Sequence, residues 1–473
     1  MFPEPRAAPT RLTWVSEALT CDVAVIGAGT AGLAAWRAAT ALGKHAVIVE
    51  RGPGGTTCAR VGCMPSKLLL AAARAAERAR RAALFGIGTG AVKVDGAAVL
   101  ARLRAERDRF VAGATEKWLA IPSARRVDGA ARFVAPSTLQ VEDGPRIEAG
   151  AVVVATGARP VVPPVLAPVR DLVVTHETVF EIAALPRRLA VLGAGPLGLE
   201  LAQALAWLGA AVTVIDKSAT VANLRDPAAA AHARDVLGKV VDLRLEAEVE
   251  AAELVEDGAR LRWKSSNGER AGEGVFDLVL AASGRPPELA PLDLASAGLE
   301  LDEHGSPAFD LVTRRCGDHP VYLAGDAAGD RPVLHEASRT GAAAGTEAAG
   351  GRAGPRPPAL SMTFTEPQIV LVGCDFAELP EGSRIGAADL RENGRVRIDE
   401  GAEAGGTVRV YADREGRLLG GALVGPGMEH LGHLLHHAVA RGLTAAELKA
   451  QVYYHPCVEE ALERAAEDLV GSD

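Results

Sequence analysis

The sequence predicts an α/β protein in which two related units precede a separate α+β domain. A strand, a glycine-rich turn, a helix and a second strand that ends in an acid occur near residue 20 and again near residue 188. A stretch rich in Gly, Pro and Arg, residues 350–358, indicates a linker. After this linker the pattern changes to a predicted hairpin, residues 407–411 and 418–424, and three predicted helices, 428–441, 444–452 and 457–469.

The composition of this 473-residue chain argues against several classes of function. Its net charge of −9 argues against a nucleic-acid partner, because proteins that bind nucleic acid usually carry basic patches. No apolar run reaches the roughly 18 residues of a membrane-spanning helix, and the first twenty residues do not resemble a signal peptide. Six cysteines do not form a secreted disulfide framework, so we expect a cytoplasmic protein in which any disulfide is catalytic or redox-sensing.

The first unit begins with a predicted buried strand, residues 21–26. A glycine-rich turn, a predicted helix over 33–42 and a second strand over 45–49 follow, and this strand ends at Glu50. The glycines of the turn are Gly27, Gly29 and Gly32. The acid stands 18 positions after the third glycine, close to the roughly 20 positions typical of a dinucleotide-binding unit.

The second unit repeats this pattern. A predicted strand over 188–192, a helix over 199–208 and a strand over 211–215 end at Asp216. The glycines of its turn are Gly193, Gly195 and Gly198. The last glycine and the acid are again 18 positions apart, so the sequence predicts two Rossmann-like dinucleotide-binding units rather than two ordinary strand–helix turns.

Each glycine-rich turn has a physical role in binding a dinucleotide. The first glycine allows a tight turn, the second lets the backbone approach a pyrophosphate, and the third lets helix and strand pack closely. The N-terminus of the following helix attracts the phosphates, and Glu50 and Asp216 can accept hydrogen bonds from ribose hydroxyls. Asp216 favours NAD, because a carboxylate would repel the 2′-phosphate of NADP, but the nearby Lys217 and Arg225 leave NADP open.

Two cysteines in residues 54–67 are the candidates for redox chemistry. Cys58 and Cys63 are separated by four residues, and Cys63 precedes a predicted long helix over 68–83, where a helix N-terminus stabilises a thiolate. A neighbouring thiol allows reversible disulfide formation. Two reduced thiols or half of a zinc site are the alternatives, but no second closely spaced cysteine pair exists to complete four zinc ligands.

Eight motifs together resemble one family. In order along the chain they are GAGTAG (27–32), GGTTCARVGCMPSK (54–67), ATGARP (155–160), GAGPLGLE (193–200), GRPP (284–287), YLAGDAA (322–328), FTEPQIVLVG (364–373) and YYHPCVEE (453–460). With these motifs the chain resembles the pyridine nucleotide-disulfide oxidoreductases, and among them most of all the dihydrolipoamide dehydrogenases. The resemblance extends from about residue 20 to residue 470.

The resemblance implies a domain order and two cofactors. FAD would occupy the first unit and a nicotinamide nucleotide the second. It implies an FAD-binding domain in two parts, 1–160 and 286–355, an NAD(P)-binding domain over 161–285, and a C-terminal dimerisation domain over 356–473.

The resemblance also assigns residues to FAD. Gly27, Gly29, Gly32 and Glu50 would hold its adenosine side, and Asp326 its ribityl or phosphate side. Further contacts, to FAD or to the nicotinamide nucleotide, would come from Thr57, Ala131, Gly157, Leu197 and Gly284.

The nicotinamide nucleotide would face the second glycine-rich turn. The residues that the resemblance assigns to it are Gly193, Gly195, Gly198, Glu200 and Asp216.

The catalytic residues follow from the same resemblance. Cys58 would exchange with the substrate, Cys63 would face the flavin, and Lys67 would lie beside the flavin, paired with Glu200. His455 would be the acid/base, oriented by Glu460, and would reach the cysteines of the other subunit, so that an active site needs a homodimer. A histidine has a suitable pKa for thiol chemistry, and a carboxylate fixes its tautomer.

The expected activity is oxidation of dihydrolipoamide with NAD⁺ through a Cys58–Cys63 disulfide, with the lipoyl group carried on a lipoyl domain as one form of the substrate. The alternatives are an NAD(P)H-dependent reductase of another small disulfide or of a metal ion, similar to glutathione or mercuric reductase, and a weakly catalytic flavin redox sensor.

Two features depart from this pattern. Cys457 stands where the family has a hydroxyl or small residue, and we expect a packed residue there, with a third redox thiol as the alternative.

The second feature is a group of histidines. One predicted helical face carries His430, His433 and His437, with His436 adjacent. We expect an interface or solvated face rather than a metal site, because no cysteine or carboxylate cage accompanies them.

Overall fold

The computed structural model describes residues 18–265, 271–401 and 404–471. Residues 1–17, which include most of the segment examined for a signal peptide, lie outside the described part. None of the described helices combines the length and apolarity needed to span a membrane.

The described residues form twenty strands and eleven α-helices. The strands are β1 (Leu19–Ile26), β2 (Ala46–Glu50), β3 (Arg126–Asp128), β4 (Ala131–Ala135), β5 (Thr138–Val141), β6 (Arg146–Val154), β7 (Val173–Val174), β8 (Arg188–Leu192), β9 (Ala211–Ile215), β10 (Asp242–Arg244), β11 (Ala247–Val255), β12 (Gly258–Ser265), β13 (Ala271–Phe276), β14 (Leu278–Ala281), β15 (Val321–Leu323), β16 (Leu360–Thr363), β17 (Gln368–Gly373), β18 (Arg384–Asp389), β19 (Thr407–Ala412) and β20 (Leu418–Gly425). The helices are α1 (Thr30–Ala41), α2 (Thr57–Val61), α3 (Cys63–Arg81), α4 (Gly96–Leu119), α5 (Pro196–Trp207), α6 (Pro227–Gly238), α7 (Leu334–Ala348), α8 (Gly394–Glu400), α9 (Met428–Ala440), α10 (Ala445–Lys449) and α11 (Glu460–Val470).

The chain divides into two compact units. The first consists of the described part of Met1–Thr57 together with Val111–Arg159 and Pro286–Pro355. The second consists of Cys58–Phe110, Pro160–Arg285 and the described part of Arg356–Asp473.

A seven-stranded sheet forms the centre of the first unit. Its order is β3-β2-β1-β6-β5-β4, and β15 pairs with β6 outside this order. β1 lies parallel to both β2 and β6, and its second half is fully buried, as expected for a central parallel strand. α1 and α7 approach closely, because Gly341 and Gly345 lie against the backbone at Ala31 and Ala35.

The second unit contains three sheets. A parallel sheet has the order β10-β9-β8-β14-β7, an antiparallel sheet the order β11-β12-β13, and a further antiparallel sheet the order β16-β17-β20-β19-β18. α3 packs against α5, while α9 and α11 pack on the last sheet. The predicted hairpin is confirmed as β19 and β20. The predicted α/β class is also confirmed, with two dinucleotide-type sheets whose central strands are parallel and with a C-terminal α+β region.

Several helices begin or end at residues other than those predicted. α1 and α5 begin at Thr30 and Pro196, directly after the second glycine of each turn and three residues before the predicted starts. The predictions were wrong there because glycine and small residues hide the helical periodicity of the first turn. α3 begins at Cys63 itself rather than after it, while the last predicted helix starts later, at Glu460.

We predict that replacing Gly345 with Ala destabilises the first unit. An added Cβ would lie 2.2 Å from the Ala35 carbonyl oxygen, so α1 and α7 must separate, at a cost of about 1–3 kcal/mol. Gly113→Ala in α4 is the matched control, because a Cβ there meets no described atom within 4 Å, and alanine should stabilise the helix by roughly 0.5–1 kcal/mol. Thermal unfolding of the two holoproteins checks this prediction, and equal midpoints would contradict it.

Candidate active site

Two short segments position the thiol pair. Cys58 is the second residue of α2 and Cys63 the first residue of α3, with Gly62 between the two helices as the N-cap of α3. Both cysteines are free thiols; Cys63 is exposed and Cys58 is half-buried. The two thiols hydrogen-bond to each other, so the structure brings the predicted redox pair together in its dithiol form.

The two thiols differ in acidity. The pKa of Cys63 is lowered to about 6, mainly by the hydrogen bond from Cys58 and also by the Lys67 ammonium and the backbone N–H of Cys63, against the opposing effects of partial burial and of Glu200. The same hydrogen bond raises the pKa of Cys58, since this thiol keeps the proton that it donates, and burial adds to the rise. Cys63 is therefore the thiolate of the pair.

A partly buried ion pair lies one helical turn beyond Cys63. Lys67 Nζ is 2.6 Å from Glu200 Oε2, and the Glu200 side chain is 3% exposed. The other carboxylate oxygen accepts a hydrogen bond from the Phe364 backbone N–H at 2.8 Å, and the ammonium lies 4.6 Å from the centroid of the Phe364 ring. The Lys67–Glu200 pair expected from the resemblance is therefore present in the second unit.

In the first glycine-rich turn, two of the glycines lie too close to neighbouring backbone for a side chain. A Cβ on Gly27 would lie 2.4 Å from the Ala155 carbonyl oxygen, and one on Gly32 would lie 1.7 Å from the Gly27 oxygen. Glu50 accepts hydrogen bonds from the backbone of Ala28 at 2.6 Å and of Gly52 at 2.7 Å. The carboxylate thus fixes the turn, a role that the sequence analysis missed.

The second turn is built in the same way. A Cβ on Gly193 would lie 2.3 Å from the Ala282 oxygen, and one on Gly198 would lie 2.2 Å from the Gly193 oxygen. Asp216 accepts hydrogen bonds from the Ala194 N–H at 2.5 Å and the Ser218 N–H at 2.6 Å. Leu197 lies in the first turn of α5.

Both turns fit a dinucleotide. A Cβ on Gly29 or Gly195 would meet no described atom within 4 Å, so space is open at the second glycine of each turn. These glycines are the N-caps of α1 and α5, and at neither of these described N-termini does a side chain cap the helix. The first backbone N–H groups of each helix can therefore receive a pyrophosphate.

The other residues expected at the cofactors lie in both units. In the first unit Thr57 begins α2, Ala131 begins β4, Gly157 has a positive φ of 77°, and Asp326 lies in a 3₁₀ turn, Gly325–Ala328. Gly284, in the second unit, has a φ of 144°. Their cofactor contacts stay predictions.

Two basic residues near the second turn are already paired. Lys217 Nζ is 2.5 Å from Glu248 Oε1, and Arg225 Nε is 3.8 Å from Asp375 Oδ2. Neither cation is therefore an uncompensated charge next to Asp216.

His455 and Glu460 form the predicted dyad. His455 Nδ1 is 2.9 Å from Glu460 Oε1, the imidazole is 78% exposed, and this contact lowers the pKa of Glu460. Because an ionised carboxylate only accepts, Nδ1–H is the donor and Nε2 is left to accept a proton. The backbone of Cys457 helps to hold this dyad in place. Its N–H donates to Glu460 Oε2 at 3.1 Å, and its carbonyl accepts from Asn393 Nδ2 at 3.1 Å. Burial raises the pKa of the Cys457 thiol.

The histidines of α9 lie on an exposed part of this helix. His430, His433 and His437 are exposed, and His433 Nδ1 is 2.7 Å from the Glu429 carbonyl oxygen. Among the described residues, no group of three or more His, Cys, Asp or Glu side chains is arranged to hold a metal ion.

Sequence reasoning also missed two residues near the Lys67–Glu200 pair. Gln203 and Arg74 both contact the segment that contains Phe364. Gln203 stands one turn after Glu200 in α5, which was the only signal in the sequence that could have drawn attention to it.

Comparison with known proteins agrees with this geometry. The sequence model of the family described as "Pyridine nucleotide-disulphide oxidoreductase" matches residues 21–342, and the model of its dimerisation domain matches residues 360–466. A dihydrolipoyl dehydrogenase of Haloferax volcanii is 31% identical over 468 residues, which cover 95% of this chain and 96% of the relative. A mercuric reductase of Shigella flexneri is 30% identical, covering 94% of this chain and 80% of the relative.

Solved structures show the same fold. LpdA from Mycobacterium tuberculosis superposes with a TM-score of 0.81 at 25% identity and covers 94% of this chain and 99% of its own. The HOCl-induced flavoprotein disulfide reductase RclA from Escherichia coli has a TM-score of 0.79 at 22% identity, with 95% and 99% covered. The matches in sequence and fold run over nearly the whole chain, and it therefore belongs to the pyridine nucleotide-disulphide oxidoreductases, flavoproteins that bind FAD and NAD(P).

Proposed function

We propose that this protein oxidises dihydrolipoamide with NAD⁺ through a Cys58–Cys63 redox disulfide. The observation that carries the proposal is the asymmetric thiol pair, in which Cys63 is acidic and lies one turn from the Lys67–Glu200 ion pair. Three dihydrolipoyl dehydrogenases, 29–31% identical over 95–97% of this chain, support the choice of substrate. The proposed substrate is the dithiol of dihydrolipoamide, either free or carried on a lipoyl domain. The proposed location of the protein is the cytoplasm.

The proposed thiol chemistry starts from the Cys58–Cys63 disulfide. A substrate thiolate attacks Cys58 Sγ, so a substrate–Cys58 disulfide forms and Cys63 leaves as a thiolate. The low pKa of Cys63 makes it the better leaving group. The second substrate thiol then attacks the substrate sulfur of the mixed disulfide, which releases lipoamide and leaves Cys58 as a thiol. Two electrons pass from the substrate to the cysteine pair.

His455 is the proposed proton acceptor for the first substrate thiol. Glu460 holds Nδ1–H and stabilises the imidazolium that forms when Nε2 takes the proton. Because the imidazole is 78% exposed, we propose that it serves the thiol pair of a second subunit in a homodimer. The matching dimerisation domain supports this arrangement.

The proposed cofactor sites are the two glycine-rich turns. Gly27, Gly29, Gly32, Glu50 and Asp326 would hold FAD, which when bound supplies two-electron exchange between thiols and a nicotinamide. The second turn would hold NAD.

NAD rather than NADP is proposed for the second turn. Asp216 is an unfavourable neighbour for a 2′-phosphate, and the nearby cations Lys217 and Arg225 already have acidic partners.

A reductase that works in the opposite direction, from NAD(P)H to another disulfide or a metal ion, is the second candidate. The 30% identity to a mercuric reductase over 94% of this chain favours it, and the first experiment below separates the two.

We expect Cys58→Ser to abolish turnover of dihydrolipoamide with NAD⁺ while FAD stays bound, because the mixed disulfide cannot form without Cys58. The measurement is anaerobic NADH production together with the flavin absorbance of the purified protein. Cys374→Ser is the matched control, since this half-buried thiol donates to the adjacent Asp375 carbonyl at 3.4 Å and belongs to neither the thiol pair nor the Lys67–Glu200 pair. Full turnover by Cys58→Ser contradicts the proposal, and a wild-type flavin that NADH reduces without any dihydrolipoamide turnover favours the second candidate.

For the nucleotide, we expect kcat/KM to be at least about tenfold higher with NAD⁺ than with NADP⁺. Asp216→Asn should lower kcat/KM for NAD⁺ by about tenfold or more, because a hydrogen bond to a charged group is worth about 1.5–3 kcal/mol. Lys217→Ala, whose ammonium faces Glu248, is the control and should change little. A preference for NADP⁺ would rule out this assignment.

The rate at which iodoacetamide alkylates reduced Cys63 should depend on pH, with a midpoint near the thiol pKa of about 6. As pH falls through this value the thiolate is protonated and the rate drops; above it the rate is constant. Lys67→Met should move the midpoint upward, since the cation that stabilises the thiolate is lost. Trypsin cleaves after Arg60 and so separates Cys58 from Cys63 for quantification by mass spectrometry. An unchanged midpoint in Lys67→Met would contradict the role of Lys67.

A further inference from the structure

The backbone between β16 and β17 is held by side chains of α5. Gln203 Oε1 accepts a hydrogen bond from the Glu366 N–H at 2.7 Å, and Gln203 Nε2 donates to the Glu366 carbonyl at 2.6 Å. One amide side chain thus pairs with both backbone polar groups of a single residue. Gln203 is 1% exposed, so these two bonds satisfy an amide that would be costly to bury alone.

The same segment, residues 364–366, is also held from α3. Arg74 Nη2 donates to the Phe364 carbonyl at 3.0 Å, and Arg74 Nε lies 2.7 Å from Glu366 Oε1. Thr365, at the centre of the segment, is fully buried, and its hydroxyl donates to the Pro367 carbonyl at 2.8 Å. Segment 364–366 is therefore fixed against both α3 and α5.

This segment in turn contacts the ion pair at the thiols. Phe364 donates its N–H to Glu200 and places its ring beneath the Lys67 ammonium. Each oxygen of the buried Glu200 carboxylate has one of these partners, Phe364 or Lys67. A displacement of segment 364–366 would remove a partner from Glu200 and the ring contact from Lys67 together.

We propose that Gln203 is a positioning residue of the redox centre: by fixing segment 364–366 it keeps Glu200 and Lys67 in place beside Cys63. The inference rests on the proposed role of the thiol pair. The titratable groups that act on the Cys63 thiol are Cys58 of α2, Lys67 of α3 and Glu200 of α5. Lys67 lowers the pKa of Cys63 by more than Glu200 raises it, so loosening both should raise this pKa.

The test is the pH profile of Cys63 alkylation in the reduced holoprotein carrying Gln203→Met. Methionine keeps the volume of glutamine and removes both hydrogen bonds to Glu366. We expect a midpoint about one pH unit higher, which makes alkylation at pH 6 about fivefold slower than in the wild type. A folded Gln203→Met protein with an unchanged midpoint overturns the inference.

A second variant keeps the inference testable if Gln203→Met does not fold. Arg74→Met loosens the same segment from α3, and Arg74 acts on the pKa of Glu366 rather than on that of Cys63, so a rise must pass through the segment. An unchanged midpoint in this variant then overturns the inference.

Tyr411→Phe is the structural control. It removes a buried hydrogen bond to Asp226 at 2.9 Å, away from segment 364–366, so it should lower thermal stability without moving the midpoint. A midpoint that moves equally in this control indicates a general loss of packing and also overturns the inference.

Failure of this inference can be distinguished from failure of the proposed function. Dihydrolipoamide turnover tests the function, whereas the alkylation midpoint tests the positioning. A wild-type protein without turnover whose midpoint still rises in Gln203→Met would retain the inference and lose the proposed substrate.

Discussion

The buried carboxylate of Glu200 is the constraint on which the candidate site depends. Removing a carboxylate from water is costly unless the charge is paired and hydrogen-bonded. Glu200 meets this requirement with the Lys67 ammonium and the Phe364 N–H. These three residues come from α5, α3 and the segment before β17, so the charged pair forms only when three distant parts of the chain have packed. Packing and the electrostatics of the thiols are thereby coupled.

The two glycine-rich turns are held by the same type of hydrogen bond. In each, the acid at the end of the second strand accepts a backbone N–H from the residue after the first glycine, Ala28 or Ala194. The carboxylate thus shapes the turn whose open side fits a pyrophosphate, and it keeps lone pairs for a ribose. In both turns the second carboxylate oxygen also accepts a backbone N–H, from Gly52 or Ser218, and two acceptor oxygens are what a carboxylate has and an amide lacks.

The sequence predicted the parts of the site that depend on local chemistry. Glycine spacing, the Cys58–Cys63 pair and the His455–Glu460 pair each lie within a short stretch, where residue type and spacing determine the contact. Gln203 could not be predicted in the same way, because its partner Glu366 is 163 residues away and a buried glutamine has no distinctive sequence signal. The starts of α1 and α5 were also misplaced, since glycine, proline and small residues in the first turns of these two helices leave no helical apolar spacing there.

In the proposed reaction, the difference in acidity between the two thiols would set the direction in which the disulfide is opened. Thiol–disulfide exchange proceeds by expulsion of the more acidic thiol, because the leaving sulfur must carry negative charge. In this chain three groups lower the pKa of the Cys63 thiol: the Cys58 thiol that donates to it, the Lys67 ammonium and the backbone N–H of Cys63 at the start of α3. In the proposed reaction an incoming thiolate would therefore be directed to Cys58. The exposed imidazole of His455 fits the proposed role of a base that the substrate reaches from solvent, whereas the Lys67 ammonium beside Cys63 is held in place by the buried carboxylate of Glu200.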